Sequence, residues 1–135
     1  MEPRRDTSNM TRWFLFLGSI NMCLVVSFGA FGAHALKPRL SSDMMAVYQT
    51  GLQYHFYHAI GLLIIPLVLR LVPSSRSIQW AAWLMLAGII LFSGSLYALS
   101  LTGIRWLGMI TPLGGTAFIC AWLLFAISIV RSQQP

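Results

Sequence analysis

Apolar residues run in long blocks along this chain, and charged side chains fall only between the blocks. Four stretches carry no formal charge: 13–36, 44–69, 77–104 and 106–130. Each exceeds the ~20 residues that an α-helix needs to cross ~30 Å of hydrocarbon. Strands are excluded by the same pattern. An open strand in lipid leaves backbone groups unpaired, and closed barrels show short alternating segments rather than continuous apolar runs. The pattern therefore predicts an all-α integral membrane protein, a four-helix up-and-down bundle in one domain, 1–135. The expected spans are 13–36, 50–71, 78–101 and 108–130, with an interfacial start to the second helix at 43–50.

Local signals refine the elements. Lys37-Pro38-Arg39 reads as a loop, and Ser41 or Ser42 as a helix cap, with Asp43 in the first turn where a negative charge suits the helix dipole. Pro66 falls inside the second helix and frees the carbonyl of Leu62, which predicts a kink. Thr111-Pro112 reads as a cap and first position, so the fourth helix is expected to start at Pro112 after a short lead-in. The first span has a basic flank and an Ala33-His34-Ala35 ending, but it is too long for a signal peptide's apolar core and is read as a retained helix.

Composition agrees with a bilayer. The chain is 57% hydrophobic and only 9% charged, against roughly 25% charged in soluble domains. The net charge of +6 is not a nucleic-acid footprint, because the nine basic residues are dispersed at the ends of apolar runs. Arg4, Arg5, Arg12, Arg70, Arg76 and Arg131 fall on the side of the N-terminus; Lys37, Arg39 and Arg105 fall on the other. That asymmetry favours both termini in the cytoplasm. Cys23 and Cys120 lie inside apolar runs and read as small packing residues rather than a disulfide.

Lipid is as apolar as leucine, so helices in a bilayer associate through close packing of small residues. Three small pairs four residues apart are candidate seams: Gly29/Ala33, Gly94/Ala98 and Ala117/Ala121. Polar groups in the apolar region are costly and are the functional candidates. With antiparallel helices, His34, Tyr54, His58, Ser93, Ser95, Tyr97 and Thr111 form a candidate polar layer near one leaflet. The N–H groups at the start of the fourth helix would face the same layer, where a helix start attracts anions. Three readings stand open. The layer is a hydrogen-bonded tie between helix ends, or a site for a lipid headgroup, quinone or small anion, or a metal or haem site on His34, His55 and His58. No metal ligand set and no cofactor is expected, since Asp43 is the only acid beyond the N-terminal tail and none orients an imidazole. Nucleophile elbows, phosphate loops and paired acids are absent from the sequence, so no catalytic residue is assigned.

Four motifs carry a resemblance. They are Gly29-Ala30-Phe31-Gly32-Ala33-His34-Ala35-Leu36; Gln49-Thr50-Gly51-Leu52 with Tyr54 and His58; Leu91-Phe92-Ser93-Gly94-Ser95-Leu96-Tyr97; and Thr111-Pro112-Leu113-Gly114-Gly115 with Trp122. In this order they resemble the YgdD/YwdK family of small inner-membrane proteins of unknown function. The resemblance implies four spans and, for bacterial members, the cytoplasmic membrane. It places histidine at His34 and His58, whereas His55 stands where the family pattern has glutamine. The expected function is a non-enzymatic accessory or interaction subunit of a membrane assembly. The alternatives are a small transporter or lipid- or quinone-binding protein, or a metal- or haem-binding protein. Expected partners are the lipid bilayer and a membrane protein or a second copy, with no nucleic acid.

Overall fold

The computed structural model describes residues 3–69 and 76–131, with side chains from Asn9 onward. Arg70 and the end of the expected second span at 71 lie outside the described residues, as do the side chains of Arg4 and Arg5. Helix α1 (Pro3–Phe31) runs into a π-helical turn (Gly32–Leu36). After a short loop comes α2 (Ser42–Val68). Helix α3 (Arg76–Gly88), a second π-helical turn (Ile89–Ser93) and α4 (Gly94–Thr102) follow without a break. A 3₁₀ turn (Arg105–Met109) leads into α5 (Thr111–Arg131). The protein is thus an all-α multi-pass membrane protein with four spans: Asn9–Leu36, Ser42–Val68, Arg76–Thr102 and Arg105–Arg131. Among the described residues there is no strand.

The ends follow from local chemistry. Ser41 caps α2 in an extended conformation, and its Oγ accepts from the Met44 N–H at 3.3 Å. Gly103 ends α4 at φ 71°, a left-handed position open to glycine, and its N–H donates to the Leu99 carbonyl at 2.8 Å. Helix α2 continues through Pro66 to Val68. The start of α5 differs from expectation. Thr111 is already helical, and the N–H groups of Leu113 and Gly114 donate back to the Ile110 carbonyl at 3.0 and 3.4 Å. The Ile110 carbonyl therefore takes N–H donors that the sequence left free for an anion.

Side-chain registers give the topology. Along α2, Tyr48 meets Phe28 and Gly32, His55 meets Asn21, and Leu63 meets Gly18, so α1 and α2 are antiparallel. Gly51 faces Leu96 and Tyr97, while Gly61 faces Met85, so α2 is antiparallel to the α3–α4 rod. Gly114 faces Phe92 and Phe118 faces Gly88, so α5 is antiparallel to that rod as well. Helices α2 and α3–α4 form the middle of the bundle, with α1 against α2 and α5 against α3. The apolar core lies toward the end where α1 begins and α2 finishes, around Phe14, Leu62, Ile65, Ile78, Met85 and Ala121.

The close approaches are not where the expected small pairs put them. A Cβ on Gly94 would meet nothing nearer than the Ile89 carbonyl at 4.0 Å, and one on Gly29 would make an ordinary contact with Leu52 at 3.6 Å. Ala33 is exposed, Ala98 and Ala117 are half-buried, and Ala121 is fully buried. The tight crossings lie at Gly114 on Phe92, Gly88 on Phe118, Gly32 on Tyr48, Gly61 on Met85 and Gly18 on Leu63, with Gly51 on Leu96 next. Cys23 and Cys120 face outward as free thiols rather than packing inside.

Candidate functional site

The polar side chains of the spans sort into three levels. The first lies near the loop that joins α1 to α2. Tyr48 donates its O–H to the Phe28 carbonyl at 2.7 Å and lays its ring over Gly32. Across the bundle, the Ser95 hydroxyl donates to the Phe92 carbonyl at 2.9 Å and lies 2.8 Å from Thr111 Oγ1. Serine has one proton to give, so Thr111 is the donor of that second bond. It ties α4 to the first residue of α5.

The second level crosses the centre. His55 is the middle residue of the 27-residue span Ser42–Val68 and is 2% exposed. Asn21 Nδ2 donates to the Leu17 carbonyl at 2.8 Å, which fixes Oδ1 as the acceptor facing His55 Nε2 at 3.0 Å. His55 therefore carries its proton on Nε2, and Nδ1 accepts from the Tyr97 hydroxyl at 3.2 Å. One chain of donors, Tyr97 to His55 to Asn21 to Leu17, joins α4, α2 and α1.

The third level joins α2 to α5. Tryptophan can only donate, so the Trp122 N–H gives its proton to His58 Nε2 at 3.1 Å. Nδ1 then holds the imidazole proton and donates to the Tyr54 carbonyl at 2.7 Å. Both nitrogens are spent and the ring is neutral. It also stacks on Phe118, with centroids 3.3 Å apart and planes within 9°.

The expected polar layer is thus split. Tyr97, Ser95, Thr111 and His58 are all engaged, but in separate networks: Tyr97 with His55, Ser95 with Thr111, and His58 with Trp122. His34 lies exposed in the π-helical turn that ends α1 and joins none of the three. Among the described residues no three His, Cys, Asp or Glu side chains converge. Asn21 was missed from the sequence, although a signal was there. It is the one amide in the charge-free run 13–36, and it falls on the face marked by Phe14, Gly18, Val25 and Gly32.

Ser93 is the exception among the polar candidates. It closes the second π-helical turn, is fully buried, and its Oγ has no hydrogen-bond partner. A buried hydroxyl without a partner carries a desolvation cost of about 1–3 kcal/mol. Ser93→Ala is therefore expected to raise the melting temperature in detergent. A fall instead would mean that the hydroxyl has a partner, such as an ordered water.

Beside the third level a groove of about 690 Å³ opens toward lipid between α2 and α5. The two helices run parallel there and touch through side chains rather than backbones. Tyr54, Tyr57 and His58 form one wall, Phe118 and Trp122 the other, and Phe92 with Gly115 lies between. Gln53 Nε2 donates to the Tyr57 hydroxyl at 2.6 Å, which leaves the Tyr57 proton for another acceptor.

Comparison with known proteins adds an identity to this geometry. Residues 28–115 match the family described as "Protein of unknown function (DUF423)". Over 118 residues the chain is 48% identical to the UPF0382 membrane protein YwdK of Bacillus subtilis, covering 87% of this chain and 96% of that one. It is 44% identical to a UPF0382 membrane protein of Staphylococcus epidermidis and 45% identical to one of Staphylococcus haemolyticus, each covering 87% of this chain and 95% of the relative. No solved structure matches.

Proposed function

The chain belongs to the DUF423 family of proteins of unknown function, and from that premise we propose that it is a non-catalytic protein of the cytoplasmic membrane that holds a bilayer-dissolved ligand between α2 and α5. The observation that carries this reading is the aromatic groove itself. It opens sideways into lipid at the level of His58 and Trp122, well inside the spans Ser42–Val68 and Arg105–Arg131. A ligand reaches it from the bilayer without crossing water. His58 is spent on holding α2 to α5, so the groove offers flat surface and a phenol donor rather than an acid, base or nucleophile. The cytoplasmic membrane and the inward placement of both termini rest on the basic residues, six of nine on the side of the N-terminus.

A second reading, an accessory subunit of a larger assembly, is favoured by the flanking helices. The first and fourth spans bury only 22% of their most apolar windows inside the protein, against 44% for the second. One experiment separates the two. The protein is released for native mass spectrometry from nanodiscs made directly from its own membrane. The ligand reading expects a monomer with a small-molecule adduct that Gly115→Leu removes. A Cβ at Gly115 makes only ordinary contacts with the Phe92 ring, at 3.7 and 3.8 Å, so the backbone admits a side chain there, and the leucine branches take up space in the groove that Gly115 lines. An adduct that survives Gly115→Leu rejects the groove, and a protein-sized extra mass supports the subunit.

A further inference from the structure

We propose that the ligand of this groove is an isoprenoid quinone, held by its ring; the inference rests on the groove reading above and names the chemistry of its occupant. Three features of the wall select a planar ring over an acyl chain. First, three of the groove's six rings are aligned, while Tyr57, Phe92 and Trp122 stand at 35° to 65° to them. The Tyr54 ring lies within 14° of His58 and within 23° of Phe118, and His58 and Phe118 lie within 9° of each other. Three near-parallel faces make a slab, and a further flat ring extends it in an offset stack, which aromatic pairs prefer. A saturated chain gains no such alignment from flat walls.

Second, the hydrogen-bonding handle is a donor. Gln53 already fills an acceptor position on the Tyr57 oxygen, so the phenol proton is available to a partner that accepts. His58 cannot supply an acceptor, because Trp122 holds the lone pair on Nε2. A groove with a donor and no free imidazole lone pair fits a carbonyl, which a quinone ring carries at its edge. A protonated lipid amine has no lone pair to accept that proton, and a lipid alcohol accepts it but brings no flat ring to the stack.

Third, the depth is right for such a molecule. His58 lies 16 residues from the start of α2 and 10 from its end, inside the apolar zone rather than at a headgroup level. Phosphate and choline headgroups do not reach that depth, while a quinone ring with a polyisoprene tail dissolves there. The groove's volume of about 690 Å³ falls within the ~300–1,000 Å³ usual for small-molecule sites. Binding alone is inferred, with no electron transfer.

The test compares two probes with the same tail. Full-length protein in phosphatidylcholine nanodiscs is titrated with menaquinone-4 and, separately, with geranylgeraniol, which has the four-isoprene tail without the ring. Bound probe per protein is measured after gel filtration, and ring-current shifts of the quinone protons are followed by NMR. The expected result is saturable binding of one menaquinone-4, about tenfold tighter than geranylgeraniol, with upfield-shifted ring protons. Tyr57→Phe removes the donor and is expected to weaken menaquinone-4 about tenfold, the loss usual for one hydrogen bond; the hydroxyl of geranylgeraniol can accept from Tyr57 too, so the ring is read from the wild-type preference and the upfield shifts. Gly115→Leu is expected to abolish both. If geranylgeraniol binds as tightly as menaquinone-4, or Tyr57→Phe changes neither, the ring assignment is overturned while the groove stands. If both probes bind Gly115→Leu as they bind the wild type, the groove itself is overturned. A melt of each variant shows that it is folded.

Discussion

Adding a single methyl group at Gly114 is expected to lower stability by about 3 kcal/mol, the upper end of the usual overpacking cost. The reason is what lies opposite. A Cβ there would sit 2.8 Å from the Phe92 Cα and 2.7 Å from its Cβ, and would also strike the Phe92 backbone nitrogen. Backbone does not swing aside as a side chain does. Gly61, by contrast, faces the end of the flexible Met85 side chain, with its sulfur at 2.6 Å, and Met85 can give way. To admit Gly114→Ala, α5 must move off the α3–α4 rod. That movement pulls at the Ser95–Thr111 bond and at the seat of Phe118 over Gly88. In lipid no hydrophobic driving force restores the lost contact, because the separated faces meet acyl chains instead of water. Two neighbours serve as controls. Gly115→Ala and Gly94→Ala make only ordinary contacts and are expected to melt within a degree or two of the wild type. Thermal unfolding of all three in one detergent checks the ranking. A Gly114→Ala protein that melts with the controls would show that α5 does not approach Phe92 closely.

The same glycines show how far the fold was legible and where it stopped. The four spans and their alternation follow from charge-free runs, because a bilayer admits no other arrangement of an unbroken apolar backbone. Packing faces need a helical register, and two π-helical turns break it. Each adds a residue to a turn, and one extra residue rotates everything beyond it by about 100°. Ala33 lies inside the first such turn, and Gly94 directly follows the second. A reading that assumes 3.6 residues per turn throughout therefore puts those small pairs on a seam, while the folded chain turns Ala33 outward and leaves Gly94 open. Ala117 and Ala121 belong to an unbroken helix, and Ala121 is buried. The polar residues were misplaced for a different reason. Nearness to a helix end does not give the partner of a side chain long enough to reach across a level. His55 is the central residue of its span, so the networks reach the middle of the membrane, where Asn21 completes one of them.

Removing the His58 ring is expected to cost about 3 kcal/mol, in the range seen for truncating a buried aromatic side chain. Three contacts go at once in His58→Ala: the stack on Phe118, the bond from Trp122 and the bond to the Tyr54 carbonyl. The loss is large because α2 and α5 share little backbone contact at this level, so the ring is their bridge. A set of four proteins separates the stack from the hydrogen bond. His58→Phe keeps a flat ring but leaves the Trp122 N–H without its acceptor. Trp122→Phe keeps a ring but leaves the His58 lone pair unfilled. Each single change strands a polar atom away from water, whereas the double variant strands neither. The expected result is that the double variant is more stable than the sum of the two singles predicts, with a coupling of about 1 kcal/mol, within the span measured for hydrogen bonds inside membranes. His58→Ala should lie below all of them. With the other four tryptophans replaced by phenylalanine, the fluorescence of Trp122 supplies an independent readout, since losing its acceptor shifts the indole emission to the blue in His58→Phe. Strict additivity with unshifted emission would mean that Trp122 does not donate to His58. The imidazole would then have a free lone pair facing the groove, and the chemistry inferred for the ligand would reverse from an acceptor to a donor.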